Sequence, residues 1–422
     1  MAQISLPLNY RSVTPQSDSR LKNLDAELRS FDEFGKATVV DESEIADGFS
    51  VPIYLNEFWT AKQRAAHSLH EISYRACFKP QLPRFFIERL THQGDAVYDP
   101  FMGRGTTLLE AALMGRNPIG CDINPLSERL VLPRLNPPIY EAVEERLQSL
   151  NLSQPTPHPE AFEVFYHPNT LTALCNLRDH MIQREKEGNL DAIDQWIRMT
   201  ATNRLTGHSP GFFSVYTLPP NQAVSLKSQR RINEKRNQIP PERDVIGILL
   251  KKTRSLLKDL GKQPLPTGTK RPTIITGSAE STESIASHSI DLVITSPPFL
   301  NVVNYKTDNW LRCWFNHIDP DSVDLWMTGS QSEWQTQMTR IFIELRRVLK
   351  PGGFVVFEVG EVLKGKLPME KLAGPAGRNA GLVPECMMIN AQAFTKTANC
   401  WGVDNAVKGT NTNRLILFRK HD

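Results

Sequence analysis

Residues 96–123 constrain the fold of this chain more than any other stretch. Ala96-Val97-Tyr98-Asp99 is a short apolar strand, and Pro100-Phe101-Met102-Gly103-Arg104-Gly105-Thr106-Thr107 is a glycine-containing turn. Leu108 to Met114 is a good helix former that ends at Gly115. Asn117-Pro118-Ile119-Gly120-Cys121-Asp122-Ile123 reads as a second strand. Strand, glycine turn, helix and strand in that order make a βαβ unit of the dinucleotide-binding type.

The turn also limits the ligand. Gly103 and Gly105 let the backbone bend tightly against a bound molecule, and the following helix aims free N–H groups at the turn. Asp122 is placed to accept hydrogen bonds from ribose hydroxyls. No lysine stands where a P-loop would carry one, which disfavours a nucleoside triphosphate. A ligand with ribose but without phosphates, such as S-adenosylmethionine, suits the turn better.

Further strands read at Thr273 to Thr276, Asp291 to Ile294, Phe354 to Val359 and Arg414 to Phe418. A helix with Met338, Ile341, Phe342, Leu345 and Leu349 at helical spacing stops at Lys350-Pro351-Gly352-Gly353. Between about Pro125 and Lys270 the alternation breaks into helical patches rich in proline and basic residues. The apolar run Ile290-Asp291-Leu292-Val293-Ile294 leads into Thr295-Ser296-Pro297-Pro298-Phe299. Two prolines fix their own backbone angles and lack N–H groups, so carbonyl oxygens there are free to accept. The ring beside them can stack on a flat substrate that bears an amino group, as nucleobases do.

Composition narrows the rest. No apolar run is long enough to span a bilayer, and the N-terminus lacks the pattern of a secretory signal, so cytoplasm is the expected compartment. The six cysteines form no CxxC pair, which argues for reduced thiols and against a metal site. A net charge of +3 says little about nucleic acid, so local clustering must carry that case. Lys227, Arg230, Arg231, Lys235 and Arg236 form such a cluster, preceded by Tyr216 to Gln222. Taken alone, such a run is more often a solvated helix face.

Several motifs in one order carry a resemblance. Asp99-Pro100-Phe101-Met102-Gly103-Arg104-Gly105-Thr106-Thr107 resembles the cofactor motif of the DNA amino-methyltransferases, and Thr295-Ser296-Pro297-Pro298-Phe299 resembles their catalytic motif. The version beginning with serine is the one most associated with cytosine N4. Phe78-Lys79-Pro80-Gln81-Leu82-Pro83 is similar to the family segment that helps enclose the methionine end of the cofactor. Val348-Leu349-Lys350-Pro351-Gly352-Gly353 matches a turn common to class I methyltransferases. Two features depart from the pattern. Arg104 stands where a small residue is usual and is given no cofactor contact, and many cytosine-N4 enzymes have the two motifs in reverse order.

The resemblance implies an α/β class I S-adenosylmethionine-dependent methyltransferase: Rossmann-like, with a mostly parallel seven-stranded sheet and a large, mainly helical insertion. Residues 1–54 are expected to be an extended arm, 55–125 and 270–422 the catalytic domain, and 126–269 an inserted target-recognition region. Lys79, Pro80, Asp99, Pro100, Phe101, Gly103, Gly105, Thr106 and Asp122 are the implied cofactor residues, and Ser296, Pro297, Pro298 and Phe299 the catalytic ones. Ser296 Oγ and a carbonyl of the Ser296–Pro297 stretch would accept hydrogen bonds from the target amino group, while Phe299 stacks on a base flipped out at about a few kcal/mol. Within a base methyltransferase the basic cluster becomes the expected contact to double-stranded DNA. None of the cysteines follows a proline, which disfavours carbon-5 chemistry. The implied reaction is cytosine-N4 methylation in bacterial or archaeal restriction–modification, with a cognate endonuclease as possible partner. Adenine-N6 and RNA-base methylation are the alternatives.

Overall fold

The structure is a computed structural model. It describes residues 19–46, 48–59, 66–74, 77–217, 223–266, 271–298, 305–323, 328–359, 361–362, 367–391 and 412–422. Phe299, residues 1–18 of the expected arm and residues 218–222 of the segment before the basic cluster lie outside the described residues.

The chain opens with helix α1 (Ser19–Ser30) and a hairpin of β1 (Val39–Ala46) and β2 (Phe49–Asn56), followed by α2 (Gln81–Leu90). The βαβ unit comes next, as β3 (Ala96–Asp99), α3 (Thr106–Leu113) and β4 (Asn117–Asp122). Six helices then run in succession: α4 (Pro125–Leu135), α5 (Tyr140–Ser149), α6 (Pro168–Lys186), α7 (Ala192–Thr202), α8 (Leu226–Arg236) and α9 (Val245–Leu257). The sheet resumes with β5 (Thr273–Thr276) and β6 (Ile290–Thr295), then α10 (Tyr305–Phe315), α11 (Gln331–Val348) and β7 (Leu349–Val359). A small ladder of β8 (Glu361–Val362) and β9 (Leu367–Pro368), α12 (Glu370–Asn379), β10 (Val383–Ala391) and β11 (Thr412–Arg419) complete the chain.

The main sheet has nine strands in the order β1-β2-β10-β11-β7-β6-β3-β4-β5. Strands β5, β4, β3, β6 and β7 are mutually parallel, and β11 runs antiparallel between β7 and β10. This is the Rossmann-like class I methyltransferase fold expected from the motifs, with a correction to the strand count. Where the sequence reads as an extended arm, residues 19–56 form a helix and a hairpin. β2 pairs with β10 and lengthens the sheet by two strands. Asp41, Glu42 and Glu44 load the outer strand with charge, which protects an open edge and hides the strand from a search for apolar alternation.

Alternate side chains of each inner strand go to opposite faces. Val97, Leu292, Ile294, Phe354 and Val356 pack toward α1 and α2, whereas Tyr98, Val293, Val355 and Phe357 pack toward α11 and α12. A separate helical core runs through α5, α6, α7 and α9 and takes in Leu109 of α3 and Leu311 of α10. The helical segment is thus fastened to the two helices that follow the glycine turn and the Ser-Pro-Pro corner.

Candidate active site

Strand order reverses between β3 and β6: from β3 the chain passes to β4 and β5 on one side, while β6 and β7 lie on the other. The crevice outside the carboxyl ends of two such strands is where open α/β sheets bind ligands. β3 ends in Asp99 and β6 ends in Thr295, so the two motifs meet there. Thr295 Oγ1 donates to Asp99 Oδ1 at 2.6 Å, and the Phe101 N–H donates to the same oxygen at 3.1 Å. Thr107 Oγ1 donates to the Ile294 carbonyl at 3.2 Å, a second tie between α3 and β6. Asp99 is buried, which pushes its carboxyl up to about 7 against the pull of its hydrogen bonds.

The turn itself is held open by its glycines. Gly103 and Gly105 have φ of +48° and +70°. A Cβ on Gly105 would lie 2.5 Å from Val131 Cγ2, so α4 can approach only because that atom is absent. Gly103 N–H donates to Asp122 Oδ2 at 2.9 Å, and Asn124 N–H donates to Asp122 Oδ1 at 2.8 Å. Asp122 keeps part of its surface exposed, and burial of the remainder raises its carboxyl above the usual value.

Two neighbours of this turn went unread in the sequence. A Cβ on Gly103 would stand 3.6 Å from the Tyr74 ring, so that ring lies against the turn. Gly277 N–H donates to the Asp122 carbonyl at 2.9 Å, bringing the loop after β5 to the same edge.

Arg104 turns away from the crevice. It is buried, with Nη1 donating to the Ile72 carbonyl at 3.0 Å and Nε to Thr106 Oγ1 at 3.2 Å. Arg134 in turn donates to the Arg104 carbonyl. The residue that breaks the family pattern therefore ties the turn to the segment before α2. Lys79 and Pro80 lie at the start of α2. Burial lowers the Lys79 ammonium, and the nearby Arg104 charge lowers it further. Pro100 and Thr106 are buried beneath the turn, and Phe101 is partly exposed.

At the Ser-Pro-Pro corner Ser296 and Pro298 are partly exposed and Pro297 is buried. The Pro298 carbonyl is already engaged, accepting from Trp334 Nε1 at 3.0 Å, which braces the corner against α11. Ser296 stands beside Glu358 of β7, a residue passed over in the sequence reading. Burial raises the Glu358 carboxyl, and hydrogen bonds from Asn413 and Ser296 partly offset the effect.

Lys227, Arg230, Arg231, Lys235 and Arg236 are all exposed on α8. The helix is seated by polar contacts: buried Gln229 donates to the Tyr216 carbonyl at 3.0 Å, and Asn233 Nδ2 to the Val164 carbonyl at 2.7 Å. The Arg236 guanidinium lies 3.8 Å from the centre of the Tyr216 ring. Just before α8, the Val224 carbonyl accepts from Trp310 Nε1 at 3.3 Å and the Ala223 N–H donates to the Asp308 carbonyl at 3.4 Å. The basic helix is thereby joined to α10, which follows the Ser-Pro-Pro corner in the chain. Among the described residues no group of His, Cys, Asp and Glu could hold a metal ion, and no helix is long and apolar enough to cross a membrane.

The DNA methylase family model matches residues 38–131, from the N-terminal hairpin through the glycine turn into α4. The type II methyltransferase M.BsoBI of Geobacillus stearothermophilus is 23% identical over 358 residues, covering 76% of this chain and 68% of the relative. M.MvaI of Kocuria varians, also a type II methyltransferase, is 31% identical over 34% of this chain and 29% of its own length. The type II methyltransferase M.MjaII of Methanocaldococcus jannaschii is 42% identical over 66 residues, which are 16% of this chain and 12% of the relative.

Proposed function

We propose that this chain, which belongs to the DNA amino-methyltransferase family, methylates the exocyclic N4 of cytosine in a specific sequence of duplex DNA. S-adenosylmethionine is its cofactor. The observation that carries this reading is the hydrogen bond from Thr295 to Asp99, which joins the turn that suits the cofactor to the corner that suits the base.

The donor set fits that cofactor. Asp99 and Asp122 stand at adjacent strand ends and the Asp122 charge adds to the cost of ionising Asp99, so this edge carries negative potential and no P-loop lysine. A phosphate would be repelled there, whereas a sulfonium cation is favoured. Asp122 holds Gly103 and Asn124 with one lone pair on each oxygen, which leaves acceptor capacity for the ribose hydroxyls. Gly103 and Gly105 keep the backbone close to the ligand, Lys79 and Pro80 border its methionine end, and Phe101 lies beside the crevice.

The bound cofactor supplies an electrophilic methyl group on a cationic sulfur. The chain's task is to present a weakly nucleophilic amino nitrogen to it in line. Ser296 Oγ and a carbonyl of the Ser296–Pro297 stretch accept hydrogen bonds from that amino group and favour a pyramidal nitrogen. Phe299 is assigned to stacking by the resemblance. Ser296 as the first residue of Ser-Pro-Pro favours cytosine N4 over adenine N6. Residues 126–269 are assigned to target recognition, with α8 reaching the phosphates through Lys227, Arg230, Arg231, Lys235 and Arg236. The setting is the modification half of a restriction–modification pair, acting on DNA in the cytoplasm beside an endonuclease for the same site.

The test is incubation with labelled cofactor and mixed-sequence duplex DNA, followed by nucleoside mass spectrometry. N4-methylcytosine is the expected product. N6-methyladenine would move the assignment to the other base, and label found on RNA alone would overturn it.

A further inference from the structure

Three asparagines lie side by side across the sheet. Asn56 of β2 is in register with Asn390 of β10, and Asn390 with Asn413 of β11. Asn390 is fully buried; its Oδ1 accepts from the Phe58 N–H at 2.6 Å and the Trp59 N–H at 3.2 Å. Asn413 Nδ2 donates to Glu358 Oε1, so the row continues into β7. Thr295 pairs with Phe357, which sets Ser296 beside Glu358, where the serine hydroxyl favours the ionised carboxyl. A carboxylate only accepts, so the serine hydroxyl is the donor.

A carboxylate here is costly. Phe354 and Val356, four and two residues back on the same face of β7, are buried and apolar. Glu358 has no ion pair among the described residues. Arg414, next to its Asn413 partner, goes to Glu370 on the other face. Asp99 lies two strands away, at the end of β3. An apolar side chain would serve packing better, because a half-buried charge without a counter-ion is costly.

We propose that Asn413 and Glu358 are a positioning pair for Ser296. Asn413 fixes the Glu358 carboxylate, the carboxylate takes the serine hydroxyl hydrogen, and the Ser296 oxygen is left with its lone pairs turned to the target amino group. Without Glu358 that hydroxyl rotates freely, and its hydrogen competes with the amino hydrogens it should accept. The inference deepens the proposed methyl transfer and rests on it for the identity of the amine.

Two measurements on the full chain test it. In protein labelled with 13C at glutamate carboxyls, Glu358 is assigned from its loss in Glu358→Gln. It should titrate above the other glutamates, and higher still in Ser296→Ala and in Asn413→Ala, because each loses a donor to the ionised form. An unchanged midpoint in Ser296→Ala overturns the proposal whatever the enzyme's substrate. On DNA that the wild type methylates, Glu358→Leu should lower kcat by about 100-fold with cofactor Kd unchanged. Glu358→Gln keeps an acceptor and should lose about tenfold or less. Wild-type kcat in natively folded Glu358→Leu also overturns the pair. A wild type inactive on every DNA overturns the parent reading alone, and the titration still decides this one.

Discussion

Asp99→Asn isolates the energetic cost of the acid at the centre of this site. Asp99 is 2% exposed, and burial pushes its carboxyl from 3.8 up to about 7, with hydrogen bonds from Thr295 and Phe101 opposing the rise. The unfolded chain ionises this group near its ordinary value. Between the two values the folded protein holds a proton that the unfolded chain has lost. The group's contribution to stability is therefore full below about pH 4 and is lost as the pH rises through about 7. The span from 3.8 to about 7 corresponds to at most about 4 kcal/mol, at about 1.4 kcal/mol per tenfold change in proton affinity.

Asparagine has the same shape, stays neutral and can still accept from Thr295. Asp99→Asn should match the wild type within about 1 kcal/mol near pH 4 and gain on it steadily, by about 1–4 kcal/mol near pH 8. Asp122 is present in both proteins, and its repulsion with Asp99, which Asp99→Asn removes, adds to the variant's gain at high pH. Urea unfolding followed by circular dichroism across that pH range measures it. A difference that stays flat, or that favours the wild type at high pH, would refute the burial argument.

Asp122→Ala should weaken S-adenosylmethionine binding by about 10- to 100-fold in calorimetry, since a charged acceptor of this kind is worth about 1.5–3 kcal/mol. Changing Lys227, Arg230 and Arg231 together to glutamine should weaken DNA binding about equally for all sequences. It should also reduce the slope of log affinity against log salt by about 3, measured by fluorescence anisotropy. A change in sequence preference instead would mean that α8 reads bases. Gly105→Ala should destabilise the protein by about 1–3 kcal/mol in thermal melts, combining a positive φ with a Cβ only 2.5 Å from Val131. Val131→Ala in the same chain should recover the steric part and leave the backbone part.

The elements legible in the sequence are those whose local chemistry coincides with their place in the fold. β3, the glycine turn, α3 and β4 are specified by contiguous residues, and β6 and β7 are apolar because both of their faces are covered. β1 carries charges because it is an edge, and the middle of β10 holds Cys386, Met387 and Met388, residues without strong strand preference. Pairing with β2 and β11 makes β10 a strand, and no window of its own sequence contains that information.

The site divides the same way. Ser296, Gly103 and Asp122 belong to contiguous motifs, whereas Glu358, Asn413, Trp334 and Tyr74 come to those motifs, directly or through one another, from separate elements. One signal for such residues does exist. Glu358 is the lone ionisable side chain in Phe354-Val355-Val356-Phe357-Glu358-Val359, and Asn390 the lone polar one in Met387-Met388-Ile389-Asn390. In a parallel sheet covered on both faces, such a residue must find a partner or a crevice. At the carboxyl end of a strand beside the switch point, the crevice is the one that binds ligands. A polar residue that ends an apolar strand next to a recognised motif is therefore a candidate for the same site, and Glu358 beside Ser296 meets that criterion.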